Sequence, residues 1–183
     1  MKPILAVCLF LLSAGSIQAQ QKATEPQTKL ETFQARTGAV VIKNYSEIAT
    51  LRGIGGTVTV TSFEFIDAQT GKKEYGISIE AKESGSLERE GRAYVDYDEI
   101  DSLLKGIDYI SKVDGSQSKL KNFEANYKTK GELEVSVFND REGIETGVSV
   151  GRIGRVGVYF KPEKFQEFRK IIVDAKAALD AIK

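Results

Sequence analysis

Residues 56–63, Gly-Thr-Val-Thr-Val-Thr-Ser-Phe, alternate polar and apolar positions, and so do residues 131–138, Gly-Glu-Leu-Glu-Val-Ser-Val-Phe, at a spacing of 75. A period of two is the signature of a strand with one buried face. Glu74-Tyr75-Gly76-Ile77-Ser78-Ile79 matches Glu145-Thr146-Gly147-Val148-Ser149-Val150 at a spacing of 71, and Tyr94-Val95 matches Tyr159-Phe160 at 65. The spacing shrinks because the turns of the first copy, 67–73 and 81–91, are longer than 139–144 and 151–154. Loops absorb insertions at small cost, so equal strands between unequal turns are what a diverged duplication leaves.

Each copy closes on a helical period. Ile100, Leu103, Ile107 and Ile110 step by three and four, with Leu104 widening the stripe. Asp98 fits the N-cap of that helix, with Asp101 in its first turn. Phe165, Phe168, Ile172, Ala175, Leu179 and Ile182 carry the second stripe, and Pro162 suits the first helical position, where a missing N–H has no partner to lose. A further strand is expected before each copy, at 39–43 and at 122–128. The predicted fold is therefore α+β: two pseudo-symmetric β-β-β-β-α repeats, 38–113 and 122–183, joined by a linker at 114–121. Neither repeat can cover its own sheet and helix stripe, so the two are expected to pack about a pseudo-twofold axis as one body.

The N-terminus has another character. Lys2, the unbroken apolar run Ile4–Leu12 and the small residues leading to Ala19 read as an export signal over 1–19. Nine apolar residues are too few to cross a bilayer as a helix, which takes about 20. A polar leader follows at 20–37, in which Thr28-Lys29-Leu30-Glu31 is a capping-box pattern that can open a short helix. The expected address is periplasmic or extracellular, with no membrane span.

Composition narrows the chemistry. Of 183 residues none is His or Trp, and the one Cys, Cys8, and one Met lie inside 1–19. Without that segment the chain has no thiol nucleophile, no disulfide, no imidazole base and no side-chain N or S ligand for zinc, copper or haem. No cofactor is expected. Lys+Arg and Asp+Glu are equal at 26 each, so no basic surface points to nucleic acid or an anionic membrane.

Three clusters remain as candidate sites. Asp96, Asp98, Glu99 and Asp101 put four carboxylates in six residues, a donor set for a hard cation. An acidic first helical turn accounts for the same residues through the helix dipole. Arg152 and Arg155, set among Gly151, Gly154 and Gly157, answer Arg89 and Arg92 in the corresponding turn, and together can form an anion-binding edge. Ordinary hairpins with exposed Arg look the same. Thr57, Thr59, Thr61 and Phe63 share one strand face, with Glu132, Glu134, Ser136 and Phe138 as counterparts, and can receive a peptide strand or a sugar. Gly53-Ile54-Gly55-Gly56 is a turn, not a dinucleotide fingerprint, because Val58 stands where the last Gly belongs. Asn44-Tyr45-Ser46 matches a glycosylation acceptor.

The paired four-strand-and-helix plan resembles, in topology alone, folds that bind single-stranded nucleic acid. The balanced charge and the export signal point elsewhere. The expected function is a non-enzymatic exported binding protein whose partner is an unidentified ligand or an envelope or extracellular protein. A carboxylate-based hydrolase of envelope glycan and a single-strand nucleic-acid binder are the alternatives. A shared sheet edge admits a monomer or a homodimer.

Overall fold

The computed structural model describes residues 27–85 and 88–183; the export-signal reading of 1–19 and the first part of the leader lie outside them. The elements run α1 (Lys29–Gln34), β1 (Val41–Gly53), β2 (Gly56–Asp67), β3 (Lys73–Glu83), β4 (Arg89–Asp96), α2 (Ile100–Ile110), β5 (Glu124–Lys128), β6 (Leu133–Asn139), β7 (Ile144–Val150), β8 (Val156–Phe160) and α3 (Pro162–Asp180). They build two antiparallel four-stranded sheets, ordered β1-β2-β3-β4 and β5-β6-β7-β8. The chain is thus an α+β body of two β-β-β-β-α units. Among the described residues no helix is long and apolar enough to cross a membrane.

The alternating runs bury what they should. Val58 and Val60 on β2, Ile77 and Ile79 on β3, Leu133 and Val135 on β6 and Val148 on β7 enter one continuous apolar core with both helix stripes. The helices are exchanged between units. α3 lies across β1, β2 and β3, whereas α2 packs on β5 and β6. Asp108 of α2 and Arg169 of α3 tie the helices together through two parallel hydrogen bonds of 2.5 and 2.7 Å. Each unit's first hairpin turn also rests on the last strand of the other. Ile54 N–H donates to the Tyr159 carbonyl at 2.7 Å, and the Thr129–Gly131 turn places Gly131 against the carbonyl of Tyr94, the residue that matches Tyr159.

Several local expectations change. The first strand begins at Val41 and runs to Gly53, well past the expected 39–43, with a bulge between Glu47 and Ala49. The ladders pair Val60 with Ile79 and Val135 with Val148, so Ile79 corresponds to Val148 and not to Val150. The sequence match was out of step by one pleat, a slip that leaves every side chain on its proper face. Asp98 is not an N-cap: it sits within a single 3₁₀ turn, Tyr97–Glu99, that precedes α2. Ile182 lies beyond the end of α3 and is exposed.

The leader contributes structure. The Thr28 hydroxyl accepts from Glu31 N–H and the Glu31 carboxylate accepts from Thr28 N–H, both at 3.0 Å, closing the capping box of α1. Its Leu30 and Phe33 cover Phe63 and Phe65 on the outer face of the first sheet, a second apolar cluster separate from the main core. Thus β2 buries Val58 and Val60 on one face and Phe63 and Phe65 on the other.

Candidate functional site

Arg152 and Arg155 lie in the turn between β7 and β8, but Arg89 and Arg92 are not in the matching turn: both stand on β4, because β3 and β4 extend their ladder to Glu83 and Arg89. Each of the four has a carboxylate partner. In the β3–β4 ladder Arg89 stands directly opposite Glu83 and Arg92 opposite Glu80. Arg89 reaches Glu83 at 2.6 Å, and Arg92 closes on Glu80. In the second unit Arg152 pairs with Glu132 at 2.8 Å and Arg155 with Glu134. Glu83 also accepts from Gly157 N–H at 2.9 Å, which joins the end of β3 to the start of β8. The arrangement is a charge-balanced lattice on the sheet surfaces, and the guanidinium charge is spent within the chain.

The acidic run disperses. Buried Asp96 accepts from the backbone N–H of Lys29 (2.8 Å) and Leu30 (3.2 Å), anchoring α1. Asp98 pairs with Lys29 Nζ at 2.7 Å, Glu99 accepts from Lys130 N–H at 3.0 Å, and Asp101 stands 3.9 Å from Lys176 Nζ. Among the described residues no group of three or more His, Cys, Asp or Glu is placed to hold a metal ion. The third candidate face is divided. Thr57, Thr59 and Thr61 are half-buried, with Thr59 Oγ1 2.8 Å from that of Thr50, whereas Phe63 is only 8% exposed between Phe65, Tyr94 and Tyr45. Asn44 lies on β1 and donates to Glu64 at 3.0 Å.

Two concavities flank α1 and α3. A groove of about 600 Å³ beside α1 is lined by Thr28, Lys29, Arg36, Lys72 and Lys130. Its cations are largely committed, Lys29 to Asp98, Arg36 to Asp67 and Lys72 to Glu74. A smaller, more apolar cleft of about 230 Å³ opens between β1 and the end of α3, lined by Tyr45, Phe63, Leu179 and Ile182.

That cleft adjoins what sequence reasoning missed. From Ile42 to Glu47, β1 is exposed on both faces, with Tyr45 72% and Ile42 46% exposed, and it forms the outer edge of its sheet. Of the other outer strands, β8 and β4 meet the opposing hairpin turns, and β5 has only five residues. A long edge strand bearing apolar side chains is where proteins accept another strand.

Electrostatics at the lattice set the acid and base limits of stability. The Lys128 ammonium, then Arg152, holds Glu132 below the ordinary carboxylate range, and Gly157 N–H, then Arg89, does so for Glu83. Arg169 lowers Asp108. Such groups add stability that is complete above the unfolded-state range near pH 4 and is lost as pH falls through their folded values. Hydrogen bonds to Glu145 and Asp180 raise Lys161 and Lys176, whose contribution is complete below roughly pH 10 and lost as pH rises further. The chain has no His. Its melting temperature is therefore expected to stay within about 2 °C from roughly pH 6 to 9 and to fall below about pH 4.5; an inflection near pH 6.5 in a calorimetric pH series would contradict this.

No protein-family model, curated protein or solved structure matches the chain.

Proposed function

We propose that this is an exported, non-enzymatic interaction module that engages its partner through the β1 edge and the cleft beside it. The observation that carries the reading is the thirteen-residue strand β1, unpaired on one side and exposed on both faces over 42–47. Export is supported by Lys2 and the apolar run of residues 4–12. A carboxylate hydrolase needs one acid that keeps its proton near neutrality, hence a raised pKa. Glu132, Glu83, Asp108 and Asp180 are instead all held down by cations, N–H donors or a phenol.

The test is site-specific photo-crosslinking in the native host, with the photoreactive residue at Tyr45 or at Tyr109, an equally exposed aromatic (76%) on α2. Adducts of one defined mass at position 45, about tenfold above those at 109, are the expected result. Equal yields at the two positions would overturn the reading.

A further inference from the structure

The β1 edge has a backbone phase that can be read directly. Ala68 N–H donates to the Val40 carbonyl at 3.0 Å, and the register pairs Ile42 with Ile66, Asn44 with Glu64 and Ser46 with Ser62. Hydrogen-bonded pairs alternate along an antiparallel ladder. Val40, Ile42, Asn44 and Ser46 therefore aim their backbone groups at β2, and Val41, Lys43, Tyr45 and Glu47 aim theirs outward. The side chains of Lys43, Tyr45 and Glu47 lie on the α1 side of the sheet, opposite Phe65, Phe63 and Thr61.

The two charges in this outward set lack an ionic partner. Lys43 Nζ donates to the neutral Gln34 amide oxygen at 2.9 Å, and the Glu47 carboxylate accepts from the Thr50 hydroxyl at 3.2 Å. Among the described residues neither forms an ion pair. Four residues of extended chain separate them by about 13 Å, so they cannot meet within one strand. They can meet across a two-fold axis. An antiparallel pair of β1 strands centred on Tyr45 sets Lys43 opposite Glu47 twice, Tyr45 opposite Tyr45 and Asn44 opposite Ser46. Centring on Lys43 or on Glu47 instead sets like charges face to face, which is unfavourable. Centring on Val41 leaves Lys43 and Glu47 apart, so of the four outward centres only Tyr45 brings the two charges together.

We propose that β1 pairs with β1 of a second copy of this chain, in register about Tyr45. This rests on the edge reading above and names its partner. Roughly six backbone hydrogen bonds join the 43–47 segments, and the sheets merge into one of eight strands. The row Phe63–Tyr45, already 5.7 Å between centroids within a chain, continues into the partner. The bulge between Glu47 and Ala49 ends the pairing, so the contact stays short and reversible.

Sedimentation velocity of the full chain from 1 to 100 µM tests it. A reversible monomer–dimer equilibrium is expected, weakened about tenfold or more by Lys43→Glu or Glu47→Lys alone and restored within about threefold when both are present. Independently, Tyr45→Cys in a Cys8→Ser background should be joined into a covalent dimer by a short bis-maleimide, because the directly opposed Cβ atoms of a hydrogen-bonded pair lie about 5 Å apart, too far for a direct disulfide but within such a linker's reach. A strict monomer at 100 µM, or a double variant no better than the singles, overturns the proposal. If the chain is monomeric yet position 45 crosslinks to a different protein, the edge reading survives and self-pairing does not. If position 45 gives no adduct above position 109, both fall.

Discussion

Cleaved within residues 116–121, the chain should yield two fragments that are unfolded alone and regain the native spectrum when mixed. The exchanged helices are the reason. Without α3 the first sheet exposes the core face that carries Val58, Val60, Ile77 and Ile79. Leaving four such side chains in water costs on the order of 6–12 kcal/mol, as much as the whole stability of an ordinary domain, about 5–15 kcal/mol. The second fragment loses α2 from β5 and β6 in the same way. Far-UV circular dichroism and thermal melting of each piece and of the mixture check this. A cooperative transition from residues 27–113 alone would mean that the unit folds without its neighbour.

Gly131→Ala should destabilise the protein by about 3 kcal/mol. A Cβ at that position falls far inside contact distance of the Tyr94 carbonyl oxygen, and Thr28 Cγ2 lies 3.0 Å from it on another side. Neither neighbour can yield freely, since Tyr94 is in β4 and Thr28 caps α1. For a chain of this length the loss lowers the melting temperature by about 6–12 °C. Gly85→Ala is the control, because a Cβ there meets nothing within 4 Å. It should shift stability by less than about 0.5 kcal/mol. Equal effects from the two substitutions, compared by urea titration, would show that the turn against β4 has slack.

What the sequence made legible follows from how burial writes itself into a pattern. β2, β6, α2 and α3 each press one face on the shared core, so their periods of two and of three to four stand out. β1 has no such imprint between Ile42 and Glu47, where both faces are exposed; it is a strand because β2 pairs with it. The turn that carries Arg152 and Arg155 was identifiable, but not the placement of Arg89 and Arg92 on β4, nor the neutralisation of all four. Glu80 and Glu83 meet Arg92 and Arg89 only through a ladder register that sequence spacing does not state. Asp96 and Asp98 are neighbours in sequence yet serve different ends, one taking the N–H groups at the start of α1 and the other a lysine side chain. Adjacent carboxylates suggest a shared ligand only when their side chains converge. Here they diverge, because the backbone passes from strand to 3₁₀ turn to helix within six residues.

The crossing-over of α2 and α3 also bears on assembly. A four-strand-and-helix unit by itself has nothing to lay over the core face of its sheet. Two separate copies of such a unit would be covered only by trading helices, as an obligate pair whose folding depends on concentration. Carried on one chain, the two units meet at an effective concentration set by the short segment between α2 and β5, and dilution cannot part them.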